Sequence, residues 1–276
     1  MNLDDKAAIL RSMNGSWISL LCLIVATPAW GGESVDDRTI LRVRPGVLAG
    51  FKLTTAQLAF NGDSARADVR VEALPAVYAA AHFWPTEAIG FYGMVTTGIG
   101  AKIDDLVDQR VAYNHHEFQI LGRYRWFLGP RISAAAVGLE MGLTGRIQIV
   151  QEQRPPVLLD RTLIGPTAGT FFTVPMMTNR LWLTIKVFGG LPFFVRESPA
   201  DSGDPARFWQ YGGSLALGIQ MVGPWSMQLN ADASQTSIRF DGTGTRALGV
   251  RDVATDDVFM SYGLALRYVF IGMGPR

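Results

Sequence analysis

An alternation of large apolar residues with small or polar ones recurs along this 276-residue chain from about residue 41 to residue 270. It is cleanest near the C-terminus. Tyr262, Leu264, Leu266, Tyr268 and Phe270 are large and apolar, whereas Ser261, Gly263, Ala265 and Arg267 between them are small or polar. Period two puts these sets on opposite faces of a strand, and a helix would scatter both around its circumference. One face carries aromatics at its ends and the other an arginine, which suits a strand with lipid outside and a wet lumen inside.

The same reading predicts nine earlier strands. The first puts Val43, Val47, Ala49, Phe51 and Leu53 opposite Arg42, Arg44 and Lys52, with Pro45 as its weak point because proline cannot donate to a ladder. In the second, about 65 to 79, Val69, Val71, Ala73 and Val77 are expected outward, and Arg66, Asp68, Arg70 and Glu72 inward. The third spans about 88 to 100. The fourth, about 115 to 128, sets Phe118, Ile120, Tyr124, Trp126 and Leu128 against Glu117, Gln119, Arg123 and Arg125. The fifth, about 131 to 150, turns Glu140, Thr144, Arg146 and Gln148 inward. The sixth, about 162 to 177, is apolar on both faces around Phe171 and Phe172, so periodicity leaves its phase open. The seventh, about 180 to 196, directs Leu183, Ile185, Val187 and Val195 outward against Thr184, Lys186 and Arg196. The eighth, about 207 to 221, turns Gln210, Ser214 and Gln220 inward. The ninth places Gln228, Asn230 and Asp232 inside and loses phase near Gln235, where a bulge or a membrane exit is expected.

Tight-turn signals at Gly129-Pro130, Met177-Thr178-Asn179 and Gly223-Pro224 alternate with longer polar connections at about 54–63, 101–114, 151–161, 197–206 and 241–257. Short turns on one side and long loops on the other are the pattern of a transmembrane barrel. Trp126, Trp182, Trp225, Tyr268 and Phe270 flank the turns, and Phe193, Trp209, Tyr211 and Tyr262 flank the loops, as two interfacial girdles. The expected fold is therefore all-β: one antiparallel transmembrane β-barrel of about ten strands, in preference to eight or twelve. A soluble barrel or sandwich would show the same periodicity with the faces exchanged. Strand length, the girdles and the N-terminal segment weigh against it.

The strand from Ser261 to Phe270 resembles the C-terminal signature strand of Gram-negative outer-membrane β-barrel proteins. The resemblance implies residence in that membrane. It also implies that Tyr262, Leu264, Leu266, Tyr268 and Phe270 form the assembly signal read by the barrel-insertion machinery. The family usually stops at the final aromatic, whereas this chain continues from Ile271 to Arg276.

Lys6 and Arg11 precede an apolar run from Trp17 to Ala26 and the small residues Thr27-Pro28-Ala29, which reads as a secretory signal peptide over 1–29 with cleavage near Ala29 to Gly31. Met13 is an alternative start. Leu21 before Cys22 argues against lipidation, and removal of Cys22, the single cysteine, leaves a mature chain without a thiol. Residues 30–40 would form a short periplasmic segment, 41–270 the barrel and 271–276 a periplasmic tail. The uncharged stretches 162–179 and 208–231 contain too many prolines, glycines and glutamines for membrane helices.

The inward charges Arg42, Arg44, Arg70, Glu72, Glu117, Arg123, Arg125, Glu140, Arg146 and Arg267 are the candidate lumen lining. In a narrow barrel they would pair across the lumen as a plug, or leave a small anion-favouring pore. A structural barrel or narrow passive pore is the expected function. An adhesin-like barrel acting through the loops near 101–114 and 241–257, and a barrel-embedded hydrolase, are the alternatives. Omptin proteases resemble the chain in architecture alone: Asp104-Asp105, Asp256-Asp257 and His115-His116 are adjacent pairs, not the family's Asp-x-Asp and Asp-x-His. Neither the outer-membrane phospholipase motif nor the lipid A deacylase motif is present around His82, which is expected to flank a turn beside Phe83 and Trp84. His115-His116-Glu117 and Asp201-Ser202-Gly203-Asp204 lack metal-ligand spacing, so no metal and no cofactor is expected. The expected partners are membrane lipid, the insertion machinery and small solutes or external ligands. A formal charge of +1 gives no reason to invoke nucleic acid.

Overall fold

Alternating sequence can satisfy its backbone inside a bilayer only by closing a sheet on itself. The computed structural model describes residues 42, 44–63, 66–104, 110–131, 133–151, 158–177, 179–245 and 250–270. Its strands are β1 (Gly46–Asn61), β2 (Arg66–Phe83), β3 (Ile89–Asp104), β4 (Arg110–Phe127), β5 (Ala136–Val150), β6 (Asp160–Met176), β7 (Leu181–Gly190), β8 (Phe194–Ser198), β9 (Asp204–Gln220), β10 (Trp225–Asp241) and β11 (Ala254–Val269). Each pairs antiparallel with its neighbours, β1 with β11 and β5 with β6 included, so the sheet closes. β7 and β8 both pair with β6 and are two pieces of one wall position, interrupted at Pro192. The barrel therefore has ten wall positions. The strand opened by Gly46 and the one closed by Val269 pair in full register, and Phe270 extends that ladder by donating its N–H to the Pro45 carbonyl at 2.9 Å.

Most strands are 15 to 18 residues long. A bilayer needs about 9–11 tilted residues, so the wall continues beyond the lipid at the loop end. The half nearer the turns exposes Phe51, Leu53, Ile120, Leu139, Met141, Leu264 and their neighbours and turns charge inward. The half nearer the loops is inverted. Val69, Val71, Leu74, Ile103, Val111, Tyr113 and Phe259 pack inside it, continuous in kind with a second cluster of Phe60, Leu163, Ile238, Phe240, Val250 and Val253. Gln57, Asp68, Arg70 and Glu72 lie on its outer surface.

The inversion is made in two ways. In β2 the inward set moves from Leu74, Ala76 and Tyr78 to Val71 and Val69 across a register shift against β1. In β3 a shift between Gly98 and Ala101 brings Ala101 and Ile103 inside; Gly100 there has φ +83, a left-handed backbone that favours glycine. Pro192 does the same between β7 and β8, so Val195 faces the core and Arg196 solvent, the reverse of the sequence expectation. β10 uses no such device at Gln235. Its even positions stay inward from Gln228 to Phe240, and only the residue types change, from amides and Asp232 to Ile238 and Phe240.

Polar stretches expected as loops at 54–63 and 101–114 are thus barrel wall over 54–61, 101–104 and 110–114, because polar residues outside the lipid belong on the outer face, whereas 241–257 is largely the expected connection from β10 to β11. Among the described residues, two contacts between loops tie the mouth. Asp63 accepts from the Arg251 amide at 3.0 Å, and Thr245 donates to Asp201 from both its amide (3.1 Å) and its hydroxyl (2.9 Å). Beneath them Val250, Val253 and Ser202 are fully buried. The signal peptide, the 30–40 segment and the 271–276 tail lie outside the described residues.

Candidate functional site: a polar chamber in the lumen

The lumen of the turn-side half holds a chamber of about 290 Å³. Its floor is cationic and aromatic. The Arg125 guanidinium lies 3.6 Å from the Trp84 ring centroid and 4.9 Å from that of Phe127. Arg125 Nε donates to the Glu87 carbonyl at 2.7 Å, and Arg42 donates to the Ala134 carbonyl at 3.0 Å. Arg267 Nη2 lies 2.9 Å from His82 Nε2, which makes that nitrogen the acceptor and places the imidazole proton on Nδ1.

At mid-height the charges are paired. Glu140 sits between Arg123, at 3.0 Å, and Lys186. Lys52 reaches across β11 to Asp232 at 2.9 Å, and Ser261 donates to the same carboxylate at 3.1 Å. Gly263 makes the crossing feasible: in register it lies between Lys52 and Asn230, and a Cβ there would meet Lys52 Cγ at 2.8 Å. Arg123 also stacks 4.0 Å above the Tyr92 centroid. Such pairs offset the cost of desolvating charge only while both partners remain.

The roof is where the polar lumen meets the apolar core. Arg146 donates to Thr236 at 3.0 Å and Ser234 at 2.9 Å, and its guanidinium lies 4.2 Å from the Phe259 centroid. The His115 ring lies 4.7 Å from the same phenyl. Above the roof one charged group is buried among the apolar side chains. Arg161 bonds Asp257 at 2.7 Å and Glu197 at 3.1 and 3.2 Å, and Gln148 donates to Asp257 at 3.0 Å.

Of the ten lumen candidates, Arg42, Glu117, Arg123, Arg125, Arg146 and Arg267 line the chamber. Glu140 is buried against Arg123 and Lys186. Arg44 precedes β1, half-buried, and is not part of the chamber wall. Arg70 and Glu72 instead lie on the outer face, because the register shift in β2 turns the valines beside them inward. Trp182 leaves the expected girdle: it shares the inward phase of Thr184 and Lys186 and lies under Arg267. His82 points into the lumen rather than flanking a turn at the interface. Phe171, not Phe172, is the inward member of the sixth strand's aromatic pair. Lys52, Lys186 and Asp232 were legible as inward residues, but the Arg161–Asp257–Glu197 group was not, since Asp257 and Glu197 fall in stretches that read as loops.

No protein-family model matches the chain, and no curated protein sequence matches it. Among solved structures, the chain is similar to the outer membrane protease OmpT from Escherichia coli, with a TM-score of 0.52 and 11% identity over 82% of this chain and 97% of that one. The outer membrane protein OprG from Pseudomonas aeruginosa follows, with a TM-score of 0.39 and 11% identity over 83% and 97%. The translocator domain of the autotransporter NalP from Neisseria meningitidis gives 0.42 and 10% over 96% and 98%. At these identities the likeness is one of fold. The likeness to OmpT shows the fold, a closed antiparallel β-barrel, and the exposed apolar belt suits its outer wall to lipid.

Proposed function

We propose that the protein is a closed, non-enzymatic outer-membrane barrel, in which an internal polar chamber takes the place of a through-pore. One observation carries this reading: two apolar clusters fill the loop-side half of the lumen, under loops that clasp one another. Hydrated ions do not cross a packed apolar core without displacing it. The lumen charges alone would have favoured a salt-bridged plug or a selective pore; the barrier proposed here is apolar instead. The non-enzymatic part of the reading rests on how the acid and base candidates are engaged. Asp257 is held by Arg161 and Gln148, His115 packs on Phe259, and His116 and Asp256 face away from both.

Planar-bilayer recording tests the closure. Folded protein, identified by heat-modifiable migration on an unboiled gel, should pass no single-channel current, and Arg123→Glu should pass none either. A reproducible current with anion preference that weakens in Arg123→Glu would establish the pore instead. The assembly role of the last strand belongs to the same proposal. Tyr268 and Phe270 meet edge to face at 5.3 Å beside the closing seam. Phe270→Ala should lower the amount of folded barrel recovered from outer membranes, and normal insertion would end that assignment.

A further inference from the structure

We propose that the roof of the chamber is a binding site for a small oxyanion, a carboxylate or a phosphate, gripped by Arg146, His115 and Thr96. These residues lie on β5, β4 and β3. The register aligns Thr96 with Glu117 and Glu117 with Arg146, and places His115 opposite Gly98, two residues along from Thr96. All three are buried, at 4%, 4% and 5% exposure, and all three line the chamber. Each carries one polar atom, Arg146 Nε, His115 Nδ1 and Thr96 Oγ1, that is buried and has no hydrogen-bond partner among the described residues. Buried polar atoms of native proteins are almost always satisfied. Three such atoms on adjacent strands around one cavity point to a shared partner.

Water would satisfy the hydrogen bonds but not the charge. Arg123, Arg125, Arg146, Lys52 and Lys186 line this chamber together with the carboxylates Glu117 and Asp232, and Glu140 is buried behind Arg123 and Lys186. Glu140 is taken by Arg123 and Lys186, Asp232 by Lys52, and Glu117 accepts from Gln119 at 3.1 Å. Among the described residues Arg146 donates to two hydroxyls, those of Thr236 and Ser234, and the Glu117 carboxylate faces it across the register. A buried guanidinium that donates to neutral hydroxyls and keeps a buried Nε without a partner among the described residues has room for an oxyanion, which its fork geometry suits. Arg125 on the floor also keeps an unpartnered Nη2 among the described residues, but ring stacking covers its guanidinium and two carbonyls take its Nε and Nη1. The chamber volume admits inorganic phosphate or a small aromatic carboxylate. Phe259 beside Arg146 and His115 supplies an apolar wall for the latter.

The test is calorimetric titration of the refolded, detergent-solubilised barrel with sodium phosphate and, separately, sodium benzoate at constant ionic strength. Saturable one-site binding of at least one of them is expected. Arg146→Gln should weaken it about tenfold or more, the usual scale for removing a charged hydrogen-bonding partner. Thr96→Val, which leaves every ion pair in place, should weaken it several-fold and stands in if Arg146→Gln does not fold. Arg239→Gln, on the outer surface of β10, should leave it unchanged. Phosphate binding alone identifies a phosphate site, and benzoate binding alone a carboxylate stacked on the phenyl wall. No saturable binding of either anion to folded protein overturns the proposal, as does undiminished affinity in the folded roof variants. Conductance of the same preparation separates this from the closure: current with binding retained breaks only the closed-barrel reading, and silence without binding breaks only the anion site.

Discussion

Val71 and Val77 lie on the same strand, six residues apart, yet Val71 is 0% exposed and Val77 53%. A regular strand would point both the same way. The register shift between them puts one against lipid and the other in a core, and the whole barrel divides along that line. In the turn-side half the outer solvent is hydrocarbon, so apolar residues face out and charge is gathered in the lumen. In the loop-side half the outer solvent is water, so the same wall turns apolar residues in, as a soluble barrel does. One sheet thus obeys two solvation rules. The bulges on β2 and β3, each with two consecutive exposed residues (Glu72-Ala73 and Ile99-Gly100), and the break at Pro192 sit where the rules change.

The largest test of this division is the charged group buried in the half that should have none. Arg161→Ala leaves Asp257 and Glu197 without their cation in an apolar core, at side-chain exposures of 3% and 1%. Breaking a buried ion pair from one side costs about 3–5 kcal/mol. Urea unfolding in detergent, followed by gel mobility, should show that loss. A loss below about 1 kcal/mol would mean that water reaches the group and that the outer half is not a dry core.

Packing gives the next effect. Leu74 is 1% exposed inside the loop-side core, and Leu74→Ala should cost about 2–5 kcal/mol. The opposite face is probed by charge. Leu264 lies mid-belt, paired with Phe51 and Leu229, and Leu264→Arg in lipid should cost about 2–4 kcal/mol. Gln57→Arg, also outward but above the belt and already beside Asp68, should stay within about 0.5 kcal/mol. Equal costs at positions 264 and 57 would erase the boundary between the two halves.

The turn-side half was legible because alternation, girdles and turn signals agree there. Arg123, Arg125, Glu140 and Arg146 could be assigned inward from Trp126, Leu139 and Ile147 alone. The loop-side half was not, because period two is blind to which face is wet. Arg70 and Glu72 carry the alternation of a lumen face although water, not a lumen, surrounds them. A signal was present: the apolar positions Val69 and Val71 are odd, whereas Leu74, Ala76 and Tyr78 are even, and Glu72-Ala73 mark the change. Likewise Ile238-Arg239-Phe240 reverses the polarity of Asn230-Ala231-Asp232 with no change of backbone phase, which a single-solvent reading takes for a slipped strand. Ion pairs that skip a strand leave no local trace: Lys52 with Asp232 spans the seam between the first and last strands, and Lys186 with Glu140 reaches across β6.

The smallest effect belongs to the clasp over the mouth. Asp201 accepts from the Thr245 hydroxyl and amide and from the Gly203 amide, and these bonds hold its carboxyl below the ordinary carboxylate range. Hydrogen bonds to the charged form lower the folded value, so the stabilisation is present above the unfolded pKa and fades as pH falls through the lowered one. The clasp should therefore survive mild acid and loosen only under stronger acidity. Because the carboxyl is exposed, the change should register locally: faster amide hydrogen exchange at Thr245 in Asp201→Ala, with global unfolding almost unmoved. A global loss comparable to that of Leu74→Ala would show that the loops, and not the apolar clusters beneath them, hold the outer half closed.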